Sequence, residues 1–257
     1  MKKIISILLC LVISGCAFFN KDDTDSASTW TIERLYSEAK KAMQGSNYTR
    51  AVELYEFLET RYPFGVYGQQ ALLDLAYVYY KIDNHESALS TADRFIRLYP
   101  QNLYVDYAYY LQGLVNFNRN RGATDRIFPT DYSERDITSA SSAFQNFSEL
   151  LERFPNSIYA EDASRRMVYL RNLLAEYEIH VAQYYLRRGS YIAAVNRARY
   201  VVENYARTPF VPDALVVMAK AYRVLELNDL SNDALRVLEL NYPGHPGIRE
   251  VRSIVLN

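Results

Sequence analysis

The chain has 257 residues, with 29 basic against 30 acidic side chains and a formal net charge of −1. That balance, without a basic cluster, leaves no electrostatic footprint for nucleic acid. Only 9 glycines and 8 prolines occur, and the prolines fall mostly after long periodic stretches, where they stop helices.

The amino terminus carries a targeting signal over residues 1–15. Lys2 and Lys3 are followed by the apolar run Ile4 to Ile13, then by Ser14 and Gly15 before Cys16. A membrane-crossing helix needs about 20 apolar residues, so this run is an export signal that is cut away. Ile13-Ser14-Gly15-Cys16 resembles the bacterial lipobox, in which the cysteine receives diacylglycerol and the new amino group is acylated. Cys10 leaves with the signal, so the mature chain keeps Cys16 alone and forms no internal disulfide. Several acyl chains on one cysteine anchor a protein stably. The next residue is Ala17 and not Asp, which by resemblance to enterobacterial lipoprotein sorting implies the periplasmic face of the outer membrane. Residues 16–31 then read as a lipidated, flexible tether, small and polar with little to bury. Without Lys2 and Lys3, 27 basic residues face 30 acidic ones, a net charge of −3.

From Ile32 onward the chain repeats itself. Aligned on their prolines, Ala51, Tyr55, Leu58, Pro63 match Ala88, Ala92, Phe95, Pro100 and Ala143, Phe147, Leu150, Pro155. Each set is spaced four, three and five, which puts the apolar side chains on one helical face and a stop after it. A fourth copy, Ala194, Ala198, Val201, reaches Ala206 where the proline should be, so a softer stop is expected there. An aromatic residue precedes every stop position: Tyr62, Tyr99, Phe154, Tyr205 and Tyr242. Upstream helices carrying Leu35, Ala39, Ala42 and Leu72, Ala76, Tyr79 complete helical hairpins through Gly45-Ser46-Asn47 and Asp83-Asn84. The spacing from Pro63 to Pro100 is 37 residues, close to the roughly 34 of a tetratricopeptide repeat. Alanines at 39, 51, 76 and 88 let paired helices approach closely. The predicted fold is therefore all-α: a tetratricopeptide superhelical solenoid of about five hairpins over residues 32–257, with a closing carboxy-terminal helix. Two departures stand out. Asn116 to Arg135 is too long for a turn and holds Phe128-Pro129, and Tyr159 to Arg187 runs without Gly or Pro as one overlong helix that can join two halves.

No catalytic pattern emerges. His85, His180 and His245 are scattered, and Glu176 with His180 lacks further metal ligands nearby. Pro63-Phe64-Gly65-Val66-Tyr67-Gly68 lacks the strand, spacing and lysine of a phosphate cradle, and no Gly-x-Ser-x-Gly occurs. The expectation is a binding protein with no catalytic residues, no metal and no cofactor beyond the covalent lipid. The 24 tyrosines fit this. Crowded as Tyr77, Tyr79, Tyr80 and as Tyr104, Tyr107, Tyr109, Tyr110, they cannot all face one core, so some must lie on a recognition surface.

The chain also resembles the BamD family of outer-membrane β-barrel assembly lipoproteins. The resemblance is carried by Arg61-Tyr62-Pro63-Phe64-Gly65, Gln69-Gln70, Leu73-Asp74-Leu75, Tyr79-Tyr80-Lys81, Asp93-Arg94-Phe95-Ile96-Arg97-Leu98, Phe154-Pro155-Asn156-Ser157 and Asn196-Arg197. It implies a complex with the periplasmic domains of a barrel-forming insertase, with accessory lipoproteins, and with unfolded outer-membrane proteins. Two surfaces are expected. Residues 32–155 would offer a substrate groove in which Tyr62, Phe64, Tyr77 and Tyr80 receive aromatic side chains, Gln70 and Asp74 meet main-chain groups, and Arg97 takes a terminal carboxylate. Residues 156–257 would meet the insertase through Arg188, Arg197 and Arg199, with Arg197 singled out by the resemblance. A competing function is a scaffold lipoprotein linking the outer membrane to peptidoglycan or division proteins. A third is a hydrolase on a helical scaffold.

Overall fold

The computed structural model describes residues 27–119 and 137–254. Cys16, the tether through residue 26, and Phe128-Pro129 of the long insertion lie outside the described residues. Among the described residues there are eleven helices and no strand: α1 (Ile32–Gln44), α2 (Tyr48–Arg61), α3 (Gly65–Lys81), α4 (His85–Leu98), α5 (Val105–Asn118), α6 (Thr138–Arg153), α7 (Ala160–Arg187), α8 (Tyr191–Asn204), α9 (Val211–Val224), α10 (Asn228–Asn241) and α11 (Gly247–Arg252). The first ten alternate as the five expected pairs, and α11 closes the series.

Two local devices set this alternation. Between the helices of a pair, Ser46, Asp83, Gly189 and Glu226 take left-handed φ values of 60°, 58°, 75° and 60°. The following residue sends its N–H back five positions in each case, Asn47 to Ala42, Asn84 to Tyr79, Ser190 to Tyr185 and Leu227 to Tyr222, all at 2.9 Å. That is the helix-ending turn which satisfies orphan carbonyls, and a left-handed residue is what permits it. Only one of the four is glycine, so glycine content alone does not reveal these turns.

Between pairs, the stop works otherwise. Helices α2, α4, α6, α8 and α10 all end two residues before the stop position, at Arg61, Leu98, Arg153, Asn204 and Asn241. The aromatic residue then caps the helix with its own N–H. Tyr62 donates to Leu58, Tyr99 to Phe95, Phe154 to Leu150, Tyr205 to Val201 and Tyr242 to Leu238, at 2.7 to 2.9 Å. The softer stop expected at Ala206 is not found. Thr208, only 6% exposed, bonds the Tyr205 carbonyl through both its N–H at 3.0 Å and its hydroxyl at 2.8 Å. A hydroxyl that captures the carbonyl does there what proline does elsewhere by excluding the next turn.

The described residues divide into two compact units between Asn84 and His85. In the first, α1, α2 and α3 close around Leu35, Ala39, Ala51, Tyr55, Leu58, Ala71, Leu75 and Val78. In the second, successive helices from α4 through α10 pack on one another, and α9 also meets α7 and α11. Ala39, Ala51, Ala76 and Ala88 are all fully buried, as the close approach of helices requires. Gly113 marks the tightest place. A Cβ there would lie 2.3 Å from the Phe147 ring, and that ring is itself fully buried.

The overlong α7 is a bridge. Its first turns meet α5, where Tyr110 stacks on Tyr159 with centroids 4.7 Å apart and donates to Asp162 at 2.6 Å. Its later residues Ala175, Ile179 and Ala182 share a core with Ala194, Ala198, Val201, Ala214 and Val217 of α8 and α9. Burial pushes the Tyr110 phenol up to about 12, helped by the Asp162 carboxylate. Burial alone would raise the Asp162 carboxyl, but hydrogen bonds from Tyr110 and Arg166 outweigh it and hold the group below its usual 3.8.

Gly113→Ala forces its methyl into Phe147 and should cost about 1–3 kcal/mol in thermal or urea unfolding, as overpacking does. Because the Asp162 pKa is lower folded than unfolded, its contribution is present above pH 3.8 and is lost as pH falls through the depressed folded value. Asp162→Asn should therefore lower stability at neutral pH and flatten the decline below about pH 4. An acid unfolding curve that keeps the wild-type slope would contradict that assignment.

Candidate functional site

The residues expected to form a substrate groove separate into three environments. Asp74, in the middle of α3, is only 8% exposed and is the polar centre of the first unit. Its Oδ2 accepts from the Tyr36 hydroxyl at 3.0 Å, from Lys40 Nζ at 3.1 Å and from the Tyr55 hydroxyl at 3.1 Å. Its Oδ1 accepts from Gln70 Nε2 at 3.1 Å. A carboxylate offers about four acceptor positions, so Asp74 is fully engaged by α1, α2 and its own helix. Gln70 is likewise turned toward it. Asp74 is therefore not placed to meet an incoming main chain, which corrects the role expected of it, and Gln70 spends an Nε2 donor on it. Burial, then the Asp74 and Tyr36 charges, drive the Tyr55 phenol far above its usual range, so it stays a donor.

Tyr62 and Tyr77 pack at the margin of the first core. The Arg61 guanidinium lies 5.2 Å over the Tyr62 ring, and Arg61 also donates to the Ser28 carbonyl, which ties down the chain that leads in from the tether. Tyr77 and Tyr80 face each other with ring centroids 6.4 Å apart. Gly68 lets α3 press on the turn before it, since a Cβ there would lie 2.6 Å from the Tyr62 carbonyl oxygen. Phe64 differs from all of these. It is 83% exposed at the start of α3, and Val66 beside it is 80% exposed. Two large apolar side chains left in water at a rigid corner are the informative kind of exposure. A groove of about 460 Å³ also opens on α1 and α2, lined by Trp30, Lys41, Asn47, Arg50 and Leu54, but it contains none of the expected aromatic residues. Arg97 lies in the second unit, on α4, with its guanidinium on Asp93 one turn earlier.

The carboxy-terminal arginines are each braced by the chain's own side chains. Arg188 lies 5.9 Å over the Tyr184 ring, and Arg199 Nη2 donates to the Tyr222 hydroxyl at 3.0 Å. Arg197 Nη1 donates to both oxygens of Glu178, at 3.2 and 3.0 Å. Glu178 is 7% exposed, while 46% of the Arg197 side chain remains open to solvent. Exposed Tyr184, Ile192 and Tyr200 belong to the same two helices, α7 and α8. Tyr36, Lys40, Tyr55 and Glu178 escape a reading of the sequence. Their available signal was a polar group on an apolar stripe: Asp74 among Leu72, Leu73 and Leu75, and Glu178 four residues after Leu174. Among the described residues no group of three or more His, Cys, Asp or Glu is placed to hold a metal, and no helix is long and apolar enough to cross a membrane.

Comparison with known proteins adds the lineage. Residues 29–238 match the YfiO family, described as an outer membrane lipoprotein. The chain is 45% identical over 253 residues to the outer membrane protein assembly factor BamD of Neisseria meningitidis serogroup B, covering 97% of this chain and 95% of the relative. It is 38% identical over 248 residues to BamD of Xylella fastidiosa strain Temecula1, covering 96% and 84%, and 41% identical over 208 residues to that of Vibrio cholerae, covering 81% and 86%. Among solved structures, PilW, a type IV pilus biogenesis factor, is similar at a TM-score of 0.36 and 12% identity, over 86% of this chain and 98% of that one.

Removal of the Asp74 carboxylate should be felt as a structural loss. Asp74→Ala strands the buried Tyr55 hydroxyl and should destabilise the protein on the order of 3 kcal/mol in urea unfolding, whereas Tyr55→Phe should cost nearer 1 kcal/mol. Equal costs for the two would mean that the other donors contribute nothing.

Proposed function

The chain belongs to the outer membrane lipoprotein family that includes the assembly factor BamD, and from that premise we propose that it is the lipid-anchored adaptor of outer-membrane β-barrel assembly. The observation that carries this is similarity to assembly factors along nearly the whole chain. Cys16 carries the lipid in this reading and anchors the chain at the inner surface of the outer membrane. The helical repeats are a binding scaffold and not an enzyme, in keeping with relatives named for assembly.

Two surfaces divide the work. The first unit receives unfolded barrel segments, with Phe64 as the leading aromatic contact and Tyr62, Tyr77 and Tyr80 behind it. Barrel strands alternate apolar and polar side chains and carry aromatics at the membrane interface, so an exposed phenyl ring on a rigid helix start suits a weak, exchangeable grip. Arg97 belongs to the second unit and is a separate candidate for a terminal carboxylate, which it would serve by leaving Asp93, an exchange that an exposed pair makes at little cost. The second surface, Arg188, Arg197 and Arg199, meets acidic side chains on the insertase's periplasmic domains. Accessory lipoproteins complete the assembly.

Capture of the full-length, lipidated chain from envelope membranes in mild detergent, followed by identification of the partners, tests the adaptor role. A β-barrel outer-membrane subunit and further lipoproteins should co-purify. Recovery with peptidoglycan and without a barrel protein would favour the scaffold function instead. At the first surface, Phe64→Ala should leave the melting temperature within about 1 °C, because an exposed side chain adds little to stability, yet weaken crosslinking to a peptide copied from a barrel's last strand. Tyr62→Ala should lower melting visibly. Undiminished crosslinking in Phe64→Ala would move the substrate surface elsewhere.

A further inference from the structure

Glu178 stands on the apolar stripe of α7, in line with Leu174, Ala175 and Ala182, all buried. Among the described residues its carboxylate accepts from one side chain alone, Arg197. Asp74, buried to the same degree, takes four donors. A buried carboxylate with one donor is a costly choice for a fold, and a neutral or apolar residue of similar volume often serves packing as well or better.

Arg197 explains the choice from its other side. A guanidinium carries five N–H donors in a rigid fork, and here only Nη1 is used, pointing inward. Among the described residues Nε and Nη2 donate to no protein acceptor, and 46% of the side chain is open to solvent. The Glu178 hydrogen bonds are the main reason the Arg197 pKa is raised, ahead of the opposing effect of burial, so anion and cation hold each other. A long, freely rotating side chain is thereby fixed from within while its outer edge stays open.

We propose that Glu178 is a positioning residue for partner recognition: it anchors Arg197 so that the Nε and Nη2 edge is presented as a preformed fork for a carboxylate of the partner. This rests on the insertase contact assigned above. Bidentate pairing of arginine with carboxylate depends on planar alignment, and ordering a rotamer-rich side chain before binding removes that cost from association. Glu178 also repels an incoming carboxylate, but its charge is already countered by the guanidinium between them. Orientation is the effect that changes when Glu178 is replaced.

The test uses the full-length chain in detergent with ¹⁵N-arginine labelling, and the purified periplasmic domains of the barrel insertase as probe. Glu178→Gln keeps the shape and removes the charge. Its Arg197 side-chain resonances should show freer guanidinium rotation, and affinity for the probe should fall roughly two- to tenfold, the cost of immobilising one such side chain, with melting unchanged or raised. Glu178→Asp, which keeps the charge but withdraws it by one methylene, should also loosen Arg197 and covers the case in which the glutamine variant fails to fold. Binding as tight as or tighter than wild type in Glu178→Gln, while Arg197→Ala still weakens it, overturns the positioning role and leaves the insertase contact standing. Unchanged binding in Arg197→Ala overturns both.

Discussion

Helix pairs here can bury their faces only if their backbones come very close, and that constraint is met by small residues at the seams. Fully buried alanines at positions 39, 51, 76, 88, 108, 143, 194 and 198 recur along the repeats, and Gly113 admits the Phe147 ring where even a methyl group would not fit. Close approach makes the remaining interactions possible. The Tyr55 hydroxyl reaches Asp74 across the interface of α2 and α3, and Arg197 reaches Glu178 between α8 and α7. Large residues then fill the space on either side, and the burial of each Leu or Phe adds about 1.5–3 kcal/mol.

Within that frame the two buried carboxylates play opposite parts. Asp74 is saturated by hydroxyl, ammonium and amide donors from three helices, so it specifies how α1, α2 and α3 meet and leaves nothing for a ligand. Glu178 has a single cationic partner with an open outer edge. A saturated buried charge fixes register, and an incompletely satisfied one marks a place where stability has been given up for something else. The contrast separates a saturated acid from one with a single partner in one chain, though both look alike by burial.

The aromatic residues divide in the same way. Tyr55, Phe95 and Phe147 are enclosed, the stop aromatics Tyr62, Phe154, Tyr205 and Tyr242 lie half-buried over the turns, and Phe64, Tyr104, Tyr184 and Tyr200 face solvent. A repeat protein contacts only its neighbours, so its seams need one set of rings in every repeat, and rings beyond that set are available for partners. That division suits an adaptor whose partners differ from one surface to the other.

The helical class, the five-pair periodicity, the stop positions and the placement of the small residues are legible in the residue order, because they follow from local rules of spacing and backbone geometry. It also carried the lineage, through motifs such as Arg61-Tyr62-Pro63-Phe64-Gly65 that exceed the generic repeat. Which polar residues are already engaged depends on the packing of distant helices. Gln70 and Asp74 read as ready for a ligand until Tyr36, Lys40 and Tyr55, distant in the chain, were seen to surround the carboxylate. Phe64 reads as one of four groove aromatics, and the structure shows that it alone of the four is exposed while Tyr62, Tyr77 and Tyr80 are half-buried. The end of α8 at Asn204 needed Thr208 to bond the Tyr205 carbonyl. For Asp74 the deciding contacts come from side chains distant in the chain, and helical periodicity specifies a face without specifying what that face will meet.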